Sequence, residues 1–187
     1  MDIYNDSFME YLIKKKKSSK DYIIIALIIL AGIVFTFVML GVSFFAAMAT
    51  KTYGTGFSIG LVLVFLGWYG IYLLLAMRNV EYEYILTNSE MDIDKVMSKR
   101  GRKHVVEWDF KDIEICACVD DINHSSEYKN KESRKIYDLT GDSTAGKNYF
   151  VDYTDEKGVK IRVLFTPTSK MIDKAKKYNM RKVFIME

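Results

Sequence analysis

Charged residues are absent from two long stretches of this 187-residue sequence. Residues 22–48 and residues 52–77 contain no Asp, Glu, Lys, Arg, His, Asn or Gln. Because a helix rises about 1.5 Å per residue, roughly 20 apolar residues cross a hydrocarbon core of about 30 Å. Both stretches are longer, which excludes a cleaved secretory signal, whose apolar region has only about 7–15 residues. Core helices of a soluble protein rarely run so far without charge, so we predict a two-helix transmembrane hairpin at residues 21–77.

Ionisable side chains are missing from both predicted spans, which argues against a transporter or a proton relay. The spans contain small residues instead. Gly56 and Gly60 form a GxxxG step, and Ser43 and Ala47 lie four residues apart in the first span. This spacing lets two helix backbones approach closely, either within the hairpin or in a homodimer. We expect Gly56 and Gly60 to pack within the hairpin, with a homodimer as the alternative.

Cysteine is also scarce. Cys116 and Cys118 are the only two, and with no second pair and no adjacent His they do not complete a four-ligand zinc site. We expect reduced thiols that share one face of a strand. His104 and His124 have no nucleophile and carboxylate at a recognisable spacing, so both are predicted to be solvated.

A phosphate loop is absent too. The stretch "LTGDSTAGK" at residues 139–147 has two glycines and a lysine, but Asn148 follows the lysine where a Ser or Thr is required. The sequence therefore predicts no catalytic residue, no metal and no cofactor, and we expect that the protein is not an enzyme.

Positive charge is unevenly distributed around the spans. The link between them carries only Lys51, and Arg78 follows the second span. Four consecutive lysines precede the first span: Lys14, Lys15, Lys16 and Lys17. Positive residues stay on the cytoplasmic side of a membrane. We therefore predict a multi-pass protein of the cell membrane with two spans, both termini in the cytoplasm and a short outer loop.

Residues 1–20 form a predicted cytosolic segment. Tyr4, Phe8, Tyr11 and Leu12 recur at helical spacing, which predicts a short amphipathic helix. A frayed tail is the alternative. With the lysines that follow, the segment can lie on the inner leaflet, where each basic residue near anionic lipid contributes roughly 1 kcal/mol. The four lysines Lys14, Lys15, Lys16 and Lys17 are thus candidate contacts to anionic lipid.

Residues 78–187 form a predicted soluble domain. Only six of the 27 basic and four of the 24 acidic residues precede Arg78, so this domain is almost neutral. A general nucleic-acid-binding protein would show a strong basic excess, and we exclude that class. Apolar residues alternate here with period two, which indicates strands. The predicted core consists of Tyr84, Leu86, Ile93, Trp108, Val163 and Phe165.

Turn signals separate these strands. "TNSE", "SKRGRK" and "TDEKG" are short and rich in Gly, Asn, Asp or Ser, as hairpin turns are. Thr166 and Pro167 are predicted to start a C-terminal helix, with the hydroxyl as cap. That helix places Met171, Ala175 and Tyr178 on one stripe.

Two stretches resemble a known fold. "YEYILTNSEMDIDKVMSKRGRKHVVEWDFKDIEICAC" is similar to the middle strands of a pleckstrin-homology-like domain, with its F-x-L-T-N strand, basic hairpin and p-L-x-D-I element. "VKIRVLFTPTSKMIDKAKKY" resembles the final strand and capping helix of that fold. With a two-helix anchor in front, the chain resembles small bacterial membrane proteins that carry a domain of unknown function. The resemblance covers residues 82–178 and implies an antiparallel barrel capped by a C-terminal helix.

Two departures from that fold affect what the resemblance implies. The sequence shows six of the seven strands, so the first is missing or comes from residues 78–82 or from the tail "MRKVFIM". The phosphoinositide-binding signature belongs to the loop between the first two strands, which is not identifiable here, so no lipid-headgroup specificity is implied. Residues 120–146 are predicted to be a long loop, functional or disordered, with a short helical piece at residues 132–139.

The predicted basic turn is the densest positive cluster of the domain and comprises Lys99, Arg100, Arg102 and Lys103. We predict a membrane-anchored, non-catalytic binding or scaffold module that holds a protein partner at the inner leaflet of the lipid bilayer. The alternative is a peripheral sensor of anionic lipid that uses this turn. A further alternative is that the basic turn is an ordinary solvated hairpin tip with no binding role.

Overall fold

The computed structural model describes residues 8–51, 53–97, 101–130, 134–142 and 146–186. The chain divides into two compact units. One unit is Lys17–Asn79, and the other combines Met1–Lys16 with Val80–Glu187. The segment before the hairpin thus shares a unit with the domain after it, and the predicted boundaries at residues 20 and 78 stay predictions.

The unit Lys17–Asn79 is a helical hairpin. Helix α1 spans Ser19–Thr50 and helix α2 spans Tyr53–Met77. Asp21 accepts a hydrogen bond from the Ser18 backbone N–H (3.0 Å) and forms an ion pair with Arg78, which joins the two open ends of the hairpin. Both helices are long and apolar enough to cross a membrane.

The first sheet of the other unit contains four antiparallel strands in the order β1-β2-β3-β4. Their inward side chains form rows across the sheet. In one such row, Tyr11 lies opposite Tyr84, Tyr84 opposite Ile93, and Ile93 opposite Val106. The strands are β1 Phe8–Lys14, β2 Val80–Thr87, β3 Glu90–Met97 and β4 Gly101–Asp109.

The amphipathic helix predicted at the N-terminus is wrong for residues 8–13, which belong to strand β1. Met9, Tyr11 and Ile13 alternate with exposed side chains, and Ile13 is buried in the core. This strand supplies the first strand that the sequence lacked. Neither predicted source forms this strand. Residues 80–82 are the start of β2, and the C-terminal tail pairs with the second sheet through Val183.

The second sheet has the order β5-β7-β8-β6, in which β6 runs parallel to β8 and the other pairs are antiparallel. The helical piece predicted at residues 132–139 is wrong for residues 135–138, which form β6. A 3₁₀ turn at Ile122–His124 and the short helix α3 at Ser125–Lys129 precede it. The strands are β5 Ile115–Cys118, β6 Lys135–Asp138, β7 Tyr149–Thr154 and β8 Lys160–Phe165.

Helix α4 spans Ser169–Tyr178. It begins two residues later than predicted, because the Thr168 hydroxyl accepts the hydrogen bond from Met171 N–H (3.3 Å). The Thr166 hydroxyl instead bonds to Asn148. After α4 the chain returns to the second sheet, where Val183 pairs with Cys116.

One core lies between the two sheets and α4. The Tyr84 hydroxyl joins the sheets: it donates to the Leu139 carbonyl (2.6 Å) and accepts from Thr166 N–H (3.2 Å). The predicted mainly-β fold is confirmed, but the predicted antiparallel barrel is not closed, because the strands form two four-stranded sheets. The predicted core is confirmed, since all six of its side chains are buried: Tyr84, Leu86, Ile93, Trp108, Val163 and Phe165.

Candidate functional site

The predicted lysine cluster lies at the connection between β1 and α1. Lys14 ends β1 opposite Glu81, and the Lys15 backbone N–H donates to the Val80 carbonyl (3.0 Å). Backbone pairing thus holds the first half of the cluster in the sheet. The cluster ends at the residue before the N-cap of α1, and all four side chains are exposed: Lys14, Lys15, Lys16 and Lys17.

The predicted basic turn is divided by the structure. Lys99 and Arg100 lie outside the described residues, and Arg102 and Lys103 belong to β4. Lys103 is exposed. The Arg102 guanidinium pairs with the Glu83 carboxylate (3.0 Å), whose side chain is only 1% exposed. Arg102 is therefore a partner of a buried acid within the sheet, a role that its position in a basic run did not indicate.

Glu83 lies in an acidic neighbourhood. Burial raises the pKa of its carboxyl, a hydrogen bond with Glu10 raises it further, and the charge of Arg102 lowers it. The second carboxylate oxygen of Glu83 has no hydrogen-bond partner among the described residues. Removal of Arg102 would leave this buried acid without its cation.

The glycines predicted to pack helices lie at the interface between α1 and α2. A Cβ atom at Gly60 would lie 1.9 Å from Ser43 Oγ, and one at Gly56 would lie 3.1 Å from Ala47 Cβ. Trp68 Nε1–H donates to the Thr36 hydroxyl on the facing helix (3.0 Å). The backbones of α1 and α2 therefore approach each other closely at Gly56 and Gly60, within the hairpin.

The two cysteines and the two histidines differ in their burial and contacts. Cys116 and Cys118 are free thiols on one face of β5, both buried in the core, and burial raises the pKa of Cys116. His104 is half exposed, as predicted for a solvated side chain, and contacts Asp94 (3.3 Å). The solvated state predicted for His124 is wrong, because its ring packs on Phe184 with centroids 4.0 Å apart.

A buried ion-pair network on the second sheet was not found in the sequence. Arg162 makes two hydrogen bonds to Asp152 (2.7 and 2.6 Å) and two more to the Glu127 and Tyr128 carbonyls at the end of α3. Arg134 also contacts Asp152 (3.3 Å). Arg162 lies on β8 between the core residues Ile161 and Val163, and its guanidinium is covered by the end of α3. The network is fully paired and anchors α3, so we assign it to stability.

An acidic cleft of about 610 Å³ lies beside the turn between β7 and β8. Among the described residues, the only basic side chain within ion-pair distance of any of its carboxylates is His104, which lies 3.8 Å from Glu107. Lys157 lines the cleft without pairing to them. The carboxylates are Glu90, Asp92, Glu107, Asp109, Asp112, Asp155 and Glu156.

Three side chains in and beside this cleft could hold a metal ion. One ligand atom from each of Asp92, His104 and Glu107 lies within 4.8 Å of the others. Burial and the charge of Glu107 raise the pKa of Asp92, as expected where like charges meet. The sequence did not indicate this set, because a β-bulge at Ile93 and Asp94 shifts the register of β3 and β4.

Two four-stranded sheets around one core, with an apolar helical hairpin between the first two strands, define a mainly-β domain with a candidate membrane anchor. Residues 5–185 match the family described as Bacterial PH-like domain (DUF6106), and the chain belongs to this family. The match confirms the resemblance and extends it to β1 and the hairpin. No curated protein and no solved structure matches the chain significantly.

Proposed function

We propose that this protein is a membrane-anchored, non-catalytic binding module that presents its PH-like domain at the cytoplasmic face of the membrane. The pairing of β1 with β2 carries this proposal, because β1 precedes the helical hairpin and β2 follows it. Two strands of one sheet lie on the same side of a membrane. A hairpin whose two helices both span returns the chain to that side, and the lysines before α1 favour the cytoplasm for both ends.

A binding role is supported by the family and by the surface of the domain. PH-like domains are generally non-catalytic binding modules. The described surface offers an acidic cleft without paired cations and an exposed lysine cluster, and both are suited to charged partners. We infer a protein partner at the inner leaflet as the main ligand.

Thiol labelling in intact cells tests the topology. A cysteine at Tyr53, at the start of α2, is expected to react with a membrane-impermeant reagent, whereas a cysteine at Ser18 reacts only after lysis. The native Cys116 and Cys118 are buried and give a low background. Labelling of Ser18 and protection of Tyr53 in intact cells would reverse the orientation.

Contact with anionic lipid is a second candidate function, and the exposed lysine cluster favours it. A tether holds the domain close to the membrane, so even a weak attraction is occupied much of the time. Four cations at roughly 1 kcal/mol each suffice to orient the domain against the leaflet but not to select one lipid. Lys103 can add to this attraction, whereas Arg102 is engaged with Glu83.

Vesicle binding tests this candidate with a joined domain, in which a short Gly/Ser linker replaces the hairpin between residues 17 and 80. We expect weak binding to anionic vesicles that disappears as salt rises from about 0.05 to 0.5 M. Exchange of Lys14–Lys17 for Gln should abolish it. A matched exchange of four lysines on α4 should leave vesicle binding unchanged. These control residues are Lys170, Lys174, Lys176 and Lys177. Equal loss in both variants would contradict a specific role for the lysine cluster.

A further inference from the structure

The acidic cleft stands out because it gathers seven carboxylates in one place with almost no cationic partner, whereas several acids elsewhere in the domain are ion-paired. Glu83 pairs with Arg102, Glu114 with Arg134, and Asp152 with Arg162. In the cleft, the contact between Glu107 and His104 is the only ion pair that the described residues provide. A nearly neutral domain thus concentrates unpaired negative charge in one concave place.

The wall of the cleft adds a second, independent feature. Trp108 lines the cleft, is 5% exposed, and stacks with Tyr153 at a centroid distance of 6.0 Å. Its indole Nε1–H is buried and has no acceptor among the described residues. A buried donor without an acceptor costs free energy, and a carbonyl oxygen of a ligand would relieve that cost once a small shift of the wall exposes the N–H.

A cleft of about 610 Å³ is of the size that binds small ligands and peptide side chains, roughly 300–1,000 Å³. Cationic side chains match its carboxylates, and a peptide backbone brings the carbonyl acceptors that the indole N–H lacks. Guanidinium groups match best, because their planar donors bind carboxylates through two parallel hydrogen bonds.

We propose that this cleft binds an arginine- or lysine-rich segment of a partner protein. The inference rests on the proposed function, since it names the chemistry of the protein partner held at the inner leaflet. Glu90, Asp112 and Glu156 are the residues to test, because they are exposed and none forms an ion pair with another described residue.

Peptide binding to the full-length chain in phosphatidylcholine nanodiscs tests the proposal, because neutral lipid does not attract the probe. A short fluorescent peptide of alternating Arg and Gly should bind at low salt, as read by anisotropy, and a Glu/Gly peptide should not. The triple variant Glu90→Gln, Asp112→Asn, Glu156→Gln should weaken binding about tenfold, since three exposed charge contacts are lost.

A matched triple removes the same charge elsewhere: Asp120→Asn, Asp142→Asn and Asp173→Asn, all exposed and outside the cleft. It should weaken binding less than about twofold, because distant exposed charges are screened. Absence of binding by the unmodified chain, or equal weakening by both triples, would overturn the proposal. Thiol labelling at Tyr53 and Ser18 is independent of the peptide, so failure here leaves the proposed topology standing.

Discussion

Truncation of Ile13 tests whether the segment before the hairpin is a strand of the PH-like domain. Ile13 is 4% exposed and packs so closely on Gly141 that a Cβ atom at that glycine would lie 2.1 Å from Ile13 Cδ1. Ile13→Ala removes buried methylene and methyl groups and leaves a cavity, which costs about 2–5 kcal/mol. That is a large part of the about 5–15 kcal/mol that stabilise an ordinary domain.

Leu12→Ala is the matched control. Leu12 precedes Ile13 on the same strand but points to the opposite face and is 49% exposed. Its truncation should cost less than about 1 kcal/mol, as for most surface substitutions. An amphipathic helix, in contrast, would place Leu12 on the buried stripe, so the pair of variants separates the two structures.

The assay is thermal unfolding of the joined domain, followed by strand circular dichroism. For a domain of this size, 1 kcal/mol shifts the melting temperature by about 3–5 °C, so Ile13→Ala should lower it by about 6–25 °C. Residues 80–187 alone, without β1, should melt below the joined domain, and an added peptide of residues 8–16 should raise that temperature. A larger loss for Leu12→Ala than for Ile13→Ala would refute the strand assignment.

Two further predictions concern the hairpin and the Arg102 pair. Gly60→Ala should lower the melting temperature of the full chain in detergent, because the new Cβ atom meets Ser43, whereas Gly54→Ala should not, since nothing lies within 4 Å of that position. Arg102→Gln should destabilise the domain by about 1–3 kcal/mol at neutral pH, the range of a lost hydrogen bond to a charged group. Because the pKa of Glu83 is raised in the folded state, its protonation favours folding, so the loss should shrink in melts at acidic pH and vanish with Glu83→Gln.

Strands whose alternation was unbroken could be predicted from the sequence. Each of β2, β4 and β8 has a charged residue between two inward residues, namely Glu83, Glu107 and Arg162. The core residues predicted in these strands are buried in the structure. The turn between β2 and β3 was equally readable, because Asn88 adopts the left-handed conformation (φ 54°) that asparagine tolerates.

Strand β1 could not be predicted because its residues satisfy two periods at once. Phe8, Tyr11 and Leu12 fit a helix, whereas Met9, Tyr11 and Ile13 fit a strand. Only the pairing with β2, on the far side of the hairpin in sequence, decides between them. Strand β6 was missed for a similar reason, because its four residues are stabilised by a parallel partner, β8, rather than by their own pattern.

Less of the candidate site than of the fold could be predicted from the sequence. The lysine cluster is visible in sequence, but the acidic cleft draws its carboxylates from β3, from β4 and the turn after it, and from the turn between β7 and β8. Only the packed sheets bring these segments together. The same holds for Arg102, whose partner Glu83 lies two strands away in the sheet order. The net charge of the domain does not reveal that acidic and basic side chains lie in different places on its surface.

If the hairpin spans the membrane as proposed, its place in the chain between β1 and β2 makes the pairing of these two strands a check on membrane insertion. During synthesis β1 leaves the ribosome before the spans, and its partner β2 follows only after them. If one helix failed to insert, residues 8–14 and 80–87 would lie on opposite sides of the bilayer, and β2 would keep an unpaired edge with part of the core uncovered. Such an edge invites aggregation and proteolysis, so misinserted chains would be removed while correctly inserted ones close their sheet.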